Sequence, residues 1–183
     1  MKNKLMKNKK GALSDLFIFM VLAFALSIIV VIMVFGFTKV YDGMLNQAPS
    51  LQKALDGTGQ NATQLMNNTV GKALSSYDVL KWATGVLIIG MALSILIGSF
   101  LVRVHPIFFA AHIIVTIIAV IVSVPMSNVY ETVYNNPVLA PTFAGFWSQS
   151  WIMLHLPIWV TVIGFLSAIL LFINMVRESG GYA

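Results

Sequence analysis

The sequence predicts an all-α membrane protein with four transmembrane helices. Four apolar runs, residues 16–37, 82–102, 107–124 and 151–176, contain no Asp, Glu, Lys or Arg. Charged residues make up only 9% of the 183-residue chain and apolar residues 58%, against about 25% charged in a soluble domain. So little charge cannot cover the surface of a soluble fold. Five lysines (Lys2, Lys4, Lys7, Lys9 and Lys10) precede the first run, which is the pattern that orients a membrane helix. The mean hydropathy of +0.88 agrees, and the length suits one membrane domain spanning 1–183 with modest connections.

The basic head, residues 1–15, leads into the first span. At about 1.5 Å per residue, 16–37 makes a helix about 33 Å long, enough to cross a bilayer core. Ser14 is a candidate N-cap and Asp15 suits the positive end of the helix. Ala23 and Ser27 form a small patch where another helix can approach. The run exceeds a secretory signal core and lacks a small-x-small site after it, which predicts an uncleaved anchor.

Residues 39–81 are polar, with Pro49, Gly57 and Gly59 as breakers. A short helix is expected over Ser50–Asp56. From Asn61 onward, Leu65, Met66, Val70, Ala73, Leu74, Tyr77 and Leu80 recur at helical spacing, opposite Gln64, Asn67, Asn68, Lys72, Ser75 and Asp78. This predicts an amphipathic external helix that runs or bends into the second span. Its apolar face either packs on its own bundle or docks a protein partner. Asn61-Ala62-Thr63 and Asn67-Asn68-Thr69 match the N-glycosylation acceptor pattern.

In the second span Gly90, Ser94 and Gly98 form a tandem small-xxx-small stripe. It can pair within the chain or between copies, and the within-chain use is favoured. Arg103-Val104-His105-Pro106 makes a tight reversal, with Pro106 in the first turn of the third span. Pro125 is expected to end that span. Residues 128–150 form an aromatic connection carrying Tyr130, Tyr134, Phe143, Phe146 and Trp147, expected near the headgroups. The fourth span holds Trp151 and Trp159 as interfacial residues, Pro157 in an early turn, and Gly164/Ala168 as a close-contact patch. Residues 177–183 form the tail.

Charge sets the expected orientation. With the lysines inside, both termini and the Arg103 turn lie inside, and 39–81 and 128–150 lie outside. Inner segments then hold seven Lys/Arg (Lys2, Lys4, Lys7, Lys9, Lys10, Arg103 and Arg177) and outer segments four (Lys39, Lys53, Lys72 and Lys81), as the positive-inside rule requires. The net charge of +5 is accounted for by the lysine head. Such a cluster usually anchors to anionic headgroups, with contact to nucleic acid as the lesser expectation.

The spans offer little chemistry. Without intramembrane carboxylates or cations, the chain lacks the residues of a proton-driven pump or an intramembrane protease. His112 and His155 lie in antiparallel spans, roughly 15 Å apart along the bundle, too far to share one metal or haem. His105 and His112 are seven apart, and no HxxxH or HExxH spacing occurs. The chain has no cysteine, and no Walker, GxGxxG, GxSxG or potassium-filter motif. Neither catalysis, a metal nor a cofactor is expected, and the histidines are read as hydrogen-bonding groups between helices or near headgroups.

Two resemblances accompany this reading. Lys9-Lys10-Gly11-Ala12-Leu13-Ser14 and the helix after it resemble the processing site and anchor of archaeal type IV pilin-like proteins. Those carry one such helix and then a soluble domain, whereas this chain continues with three more spans. The lysine-headed, four-span layout as a whole resembles the small membrane proteins of membrane-containing tailless icosahedral bacteriophages. That resemblance implies a structural role in a virion, with loops docking to capsid proteins and the basic tail facing the genome.

The function expected is that of a non-enzymatic scaffold embedded in lipid, contacting other membrane or capsid proteins and forming homo-oligomers. Leu65, Met66, Val70, Tyr77, Tyr130, Tyr134, Phe143 and Trp147 are the candidate partner contacts. The alternatives are a holin-like pore, to which Gly90/Ser94/Gly98 would contribute an oligomer seam, and an accessory subunit of a membrane enzyme or transporter.

Overall fold

The structure, a computed structural model, describes residues 11–101 and 106–179. Among them every regular element is helical: α1 (Gly11–Ala54), α2 (Ala62–Met66), a π-helical turn (Asn67–Gly71), α3 (Lys72–Leu101), α4 (Pro106–Tyr134), α5 (Ala140–Ala144), α6 (Trp147–Leu154) and α7 (Leu156–Ser179). Four helical stretches are long and apolar enough to cross a membrane: 15–54, 62–101, 106–134 and 156–177. The chain is therefore a multi-pass membrane protein.

α1 begins before the expected Ser14–Asp15 start and continues past residue 37, through Pro49, as one helix of 44 residues. No separate helix forms at Ser50–Asp56. A proline inside a helix costs about 3 kcal/mol, and here α1 is held on both sides of it. Ala48 is buried. Gln52 accepts a hydrogen bond from Ala62 N–H (2.9 Å) and donates to the Gln60 carbonyl (3.2 Å). Gly57 (φ 93°) and Gly59 (φ 72°) turn the chain in left-handed conformations that favour glycine. Asn61 then caps α2 by accepting from Gln64 N–H.

The chain returns along α1 as a continuous helical run from Ala62 to Leu101. The Phe37 and Tyr77 rings meet at 4.9 Å, and Tyr41 Oη donates to Asn67 Oδ1 in the π-helical turn. Residues 38–54 and 62–80 thus form an antiparallel hairpin. The amphipathic helix expected after Asn61 is present, and its half-buried stripe of Met66, Val70, Leu74, Tyr77 and Leu80 follows the expected spacing.

α4 continues through Pro125 to Tyr134 instead of ending there. Its buried residues on either side of the proline, Ser123, Ser127 and Tyr130, keep one helical face, so tertiary packing overrides the breaker. The fourth membrane-length helix, α7, starts at Leu156 rather than at the expected Trp151, and the short helix α6 meets it at a break at His155. α4 with α7 is the most extensive helix pair, followed by α1 with α3 and α3 with α7.

The buried residues of α4 are His112, Ala119, Ser123, Ser127 and Tyr130, whereas Ile114, Ile117, Ile121 and Val129 are exposed. This reversal of soluble packing suits a helix whose outer face meets lipid.

Candidate functional site

The polar residues that face inward on the helices form two levels in the bundle. At one level α6 inserts among α1, α3 and α4. Gly85 of α3 allows this approach, because a Cβ there would collide with Ser148 Oγ. Gln149 is fully buried and its Nε2 donates to the Ser27 carbonyl of α1 at 3.2 Å. Tyr130 Oη and Ser150 Oγ lie 3.1 Å apart, with the Phe143 ring edge-on to Tyr130 at 5.5 Å. The helix break belongs to the same level. Pro157 has no N–H for the Met153 carbonyl, and Ile158 N–H turns to His155 O (3.0 Å) instead of Leu154 O. Ser127 Oγ of α4 lies 3.1 Å from the Met153 carbonyl and 2.8 Å from that of Leu154, and takes the place of the lost donors.

The other level joins α3, α4 and α7. Ser99 and Ser167 hydroxyls lie 2.6 Å apart. Asn174 Nδ2 donates to the carbonyls of Ser99 (3.2 Å) and Phe100 (2.6 Å), capping the C-terminal end of α3. Phe109 packs on Phe172 at 5.8 Å. Gly164 is where α7 meets α4, since a Cβ there would collide with the Thr116 methyl. His112 is 2% exposed and lies against the Gly164 backbone of α7, although neither ring nitrogen makes a hydrogen bond of good geometry. Ser27 Oγ, Thr116 Oγ1 and Gln149 Oε1 are likewise buried and unpartnered.

These groups are hydroxyls and amides, with the His112 imidazole and the Tyr130 phenol the titratable side chains among them. Among the described residues no three His, Asp or Glu side chains gather as metal ligands. The arrangement can lock helices together across an apolar medium. Such interhelical hydrogen bonds contribute about 0.6 kcal/mol each on average.

The expected site residues fall into three groups. Ala23 and Ser27 are fully buried, and Gly164 is buried with Ala168 half-buried beside it. In the Gly90/Ser94/Gly98 stripe, by contrast, Gly90 and Ser94 are exposed, and a Cβ at Gly90 or Gly98 would meet nothing within 4 Å. The favoured within-chain use of that stripe is thereby corrected. α3 packs instead through Thr84, Gly85, Ile88, Ala92 and Ser99, on a different face of the helix.

Of the partner candidates, Tyr130 and Phe143 are core residues, which corrects their assignment to a surface loop. Leu65 and Trp147 are exposed, while Met66, Val70, Tyr77 and Tyr134 are half-buried. His155 Nδ1 lies 2.9 Å from the Trp151 carbonyl, a contact within one helical turn rather than between helices. Arg177 stands exposed in the last turn of α7. Lys2, Lys4, Lys7, Lys9, Lys10, Arg103 and His105 lie outside the described residues.

Gln149, Ser127 and Asn174 are the structural residues that sequence reasoning missed. A signal for Ser127 was present: His112, Thr116, Ser123, Ser127 and Tyr130 share one helical face of an otherwise Ile/Val-rich segment. No protein-family model, curated protein or solved structure matches the chain.

Proposed function

We propose that this chain is a non-enzymatic membrane scaffold. The four crossings anchor it, and the α1–α3 hairpin stands outside the bilayer as a rigid arm for another protein. The observation that supports this is the hairpin itself. Residues 39–81, which read as a long polar connection, are two paired helices whose arm extends about 25 Å at 1.5 Å per residue. The arm carries Lys39, Asp42, Lys53, Asp56, Lys72, Asp78 and Lys81, whereas 16–37 and 82–101 carry no Asp, Glu, Lys or Arg. A preformed arm loses little conformational entropy on binding. Its most concrete setting is a virion membrane, with the arm meeting capsid proteins, the lysine head inside, and Leu65 near the tip as an exposed apolar contact.

A holin-like pore is the second reading, favoured by the open Gly90/Ser94/Gly98 stripe. Purification of the native assembly in mild detergent, with mass spectrometry of what accompanies the chain, separates the two. Capsid-type proteins in fixed ratio support the scaffold, particularly if they are lost when residues 43–71 are replaced by a short turn while membrane insertion persists. The chain alone, leaking dye from vesicles, supports the pore. A larger enzyme or transporter in fixed ratio makes it an accessory subunit.

A further inference from the structure

We propose that α1 pairs in parallel with α1 of a second copy of this chain. Met33, Phe37, Val40, Met44, Gln47 and Leu51 follow a strict alternation of four and three residues, the a/d pattern of a coiled-coil seam. The five apolar members are each more than 40% exposed although they lie within one helix face. A narrow stripe with a 3.5-residue period fits another helix laid along it better than lipid or a globular surface.

The flank of the stripe points the same way. Gly36, Gly43 and Ser50 recur every seven residues at the g positions. Glycine inside a helix costs about 1 kcal/mol relative to alanine. Within the chain nothing lies within 4 Å of a Cβ placed on Gly36 or Gly43. The e positions, Val34, Tyr41 and Ala48, are buried or half-buried within the chain, with Tyr41 reaching Asn67 across the hairpin. In a parallel pair each g position faces the other copy's e position. The small g residues therefore leave room for the hairpin helix that flanks the second α1.

The occupant is a second copy for three reasons. Copies inserted in the same orientation hold their α1 helices parallel and at one height, which brings like layers into register. The stripe carries no charge, so it does not repel itself; Lys39, Asp42 and Lys53 lie off it. The area also suffices. Before Met33 the heptad breaks, since Val30, Ala23 and Phe19 turn into the chain's own core, and the exposed face continues one step over through Ile29 and Leu22 to Ile18, which gives a strip about 50 Å long and about 10 Å wide. That is about 1,000 Å² over two copies, the lower bound for a specific interface.

The chain contains no cysteine, so single cysteines report without background. Val40→Cys, Met44→Cys, Asn46→Cys, Lys53→Cys, Gly90→Cys and Gly98→Cys are each reconstituted in plain lipid vesicles at high dilution and oxidised. The expected result is disulfide dimers several-fold faster at positions 40 and 44 than at 46 and 53. Equal rates at all positions, no dimers at 40 and 44, or dimers confined to 90 and 98 would overturn the proposal. Energy transfer between donor- and acceptor-labelled copies without engineered α1 cysteines gives a second readout, expected to persist as lipid is added. Neither measurement involves another protein, so its outcome is separate from that of the scaffold reading.

Discussion

Ser127 of α4 stands opposite the Met153 carbonyl of α6, at 3.1 Å, because Pro157 lacks the N–H that would have satisfied it. One hydroxyl thus compensates for a proline on another helix, and the compensation can be measured as a coupling. Ser127→Ala is expected to cost about 1–2 kcal/mol, within the range for a buried group left without its hydrogen bond. In a Pro157→Ala background, where the helix supplies its own donor, the same change should cost appreciably less. A double-mutant cycle read by denaturant unfolding in mild detergent tests this, and equal costs in the two backgrounds would show that the hydroxyl serves another purpose.

The glycines divide sharply. Gly85→Ala and Gly164→Ala place a Cβ against Ser148 and Thr116, and overpacking of this kind costs about 1–3 kcal/mol. Gly90→Ala and Gly98→Ala meet open space, so the gain in helix propensity should leave stability unchanged or raised by up to about 1 kcal/mol per site. Thermal unfolding of the four single variants distinguishes the pairs.

His112 is buried without a good hydrogen bond. Replacing an unsatisfied polar group by an apolar one of similar volume removes a desolvation penalty. His112→Leu is therefore expected to be neutral or stabilising by about 1 kcal/mol in the same unfolding assay. A loss above about 2 kcal/mol would show that the contact with the Gly164 backbone holds the ring.

The hairpin turn depends on Gln52, which bonds both Ala62 N–H and the Gln60 carbonyl. Gln52→Ala should loosen residues 55–66 and leave the crossings intact. Hydrogen exchange checks this: faster exchange confined to the turn is the expected pattern, and faster exchange spreading into 82–101 would mean that the hairpin and bundle open together.

The long uncharged runs and their periodicity made the four crossings and the amphipathic stripe legible. Where helices ended was not, because Pro49 and Pro125 are local breakers whose penalties are outweighed by contacts distant in sequence. The site was harder to read for a related reason. Gly90, Ser94 and Gly98 form the most regular small-residue stripe, yet Gly85 is the glycine that α6 approaches. Spacing shows which residues share a face; it does not show which face another helix selects. Gln149 falls within the expected aromatic connection because a lone amide beside two serines and two tryptophans has no period to betray it. Its burial depends on α6 entering between three other helices.

The hairpin has a mechanical consequence. α1 and α3 continue past the level where Lys81 reaches Gly145, so a two-helix post stands on a four-helix footing. A sideways load at the Gly57–Gly59 tip acts through a lever arm of about 25 Å, and the bending moment is greatest at the base. The T-shaped Tyr130–Phe143 pair, the close fit of Gly85 to Ser148 and the Gln149 amide all lie near that base. Their close packing gives the post a stiff clamp, so that a force applied to the hairpin is transmitted into the four-helix part of the molecule.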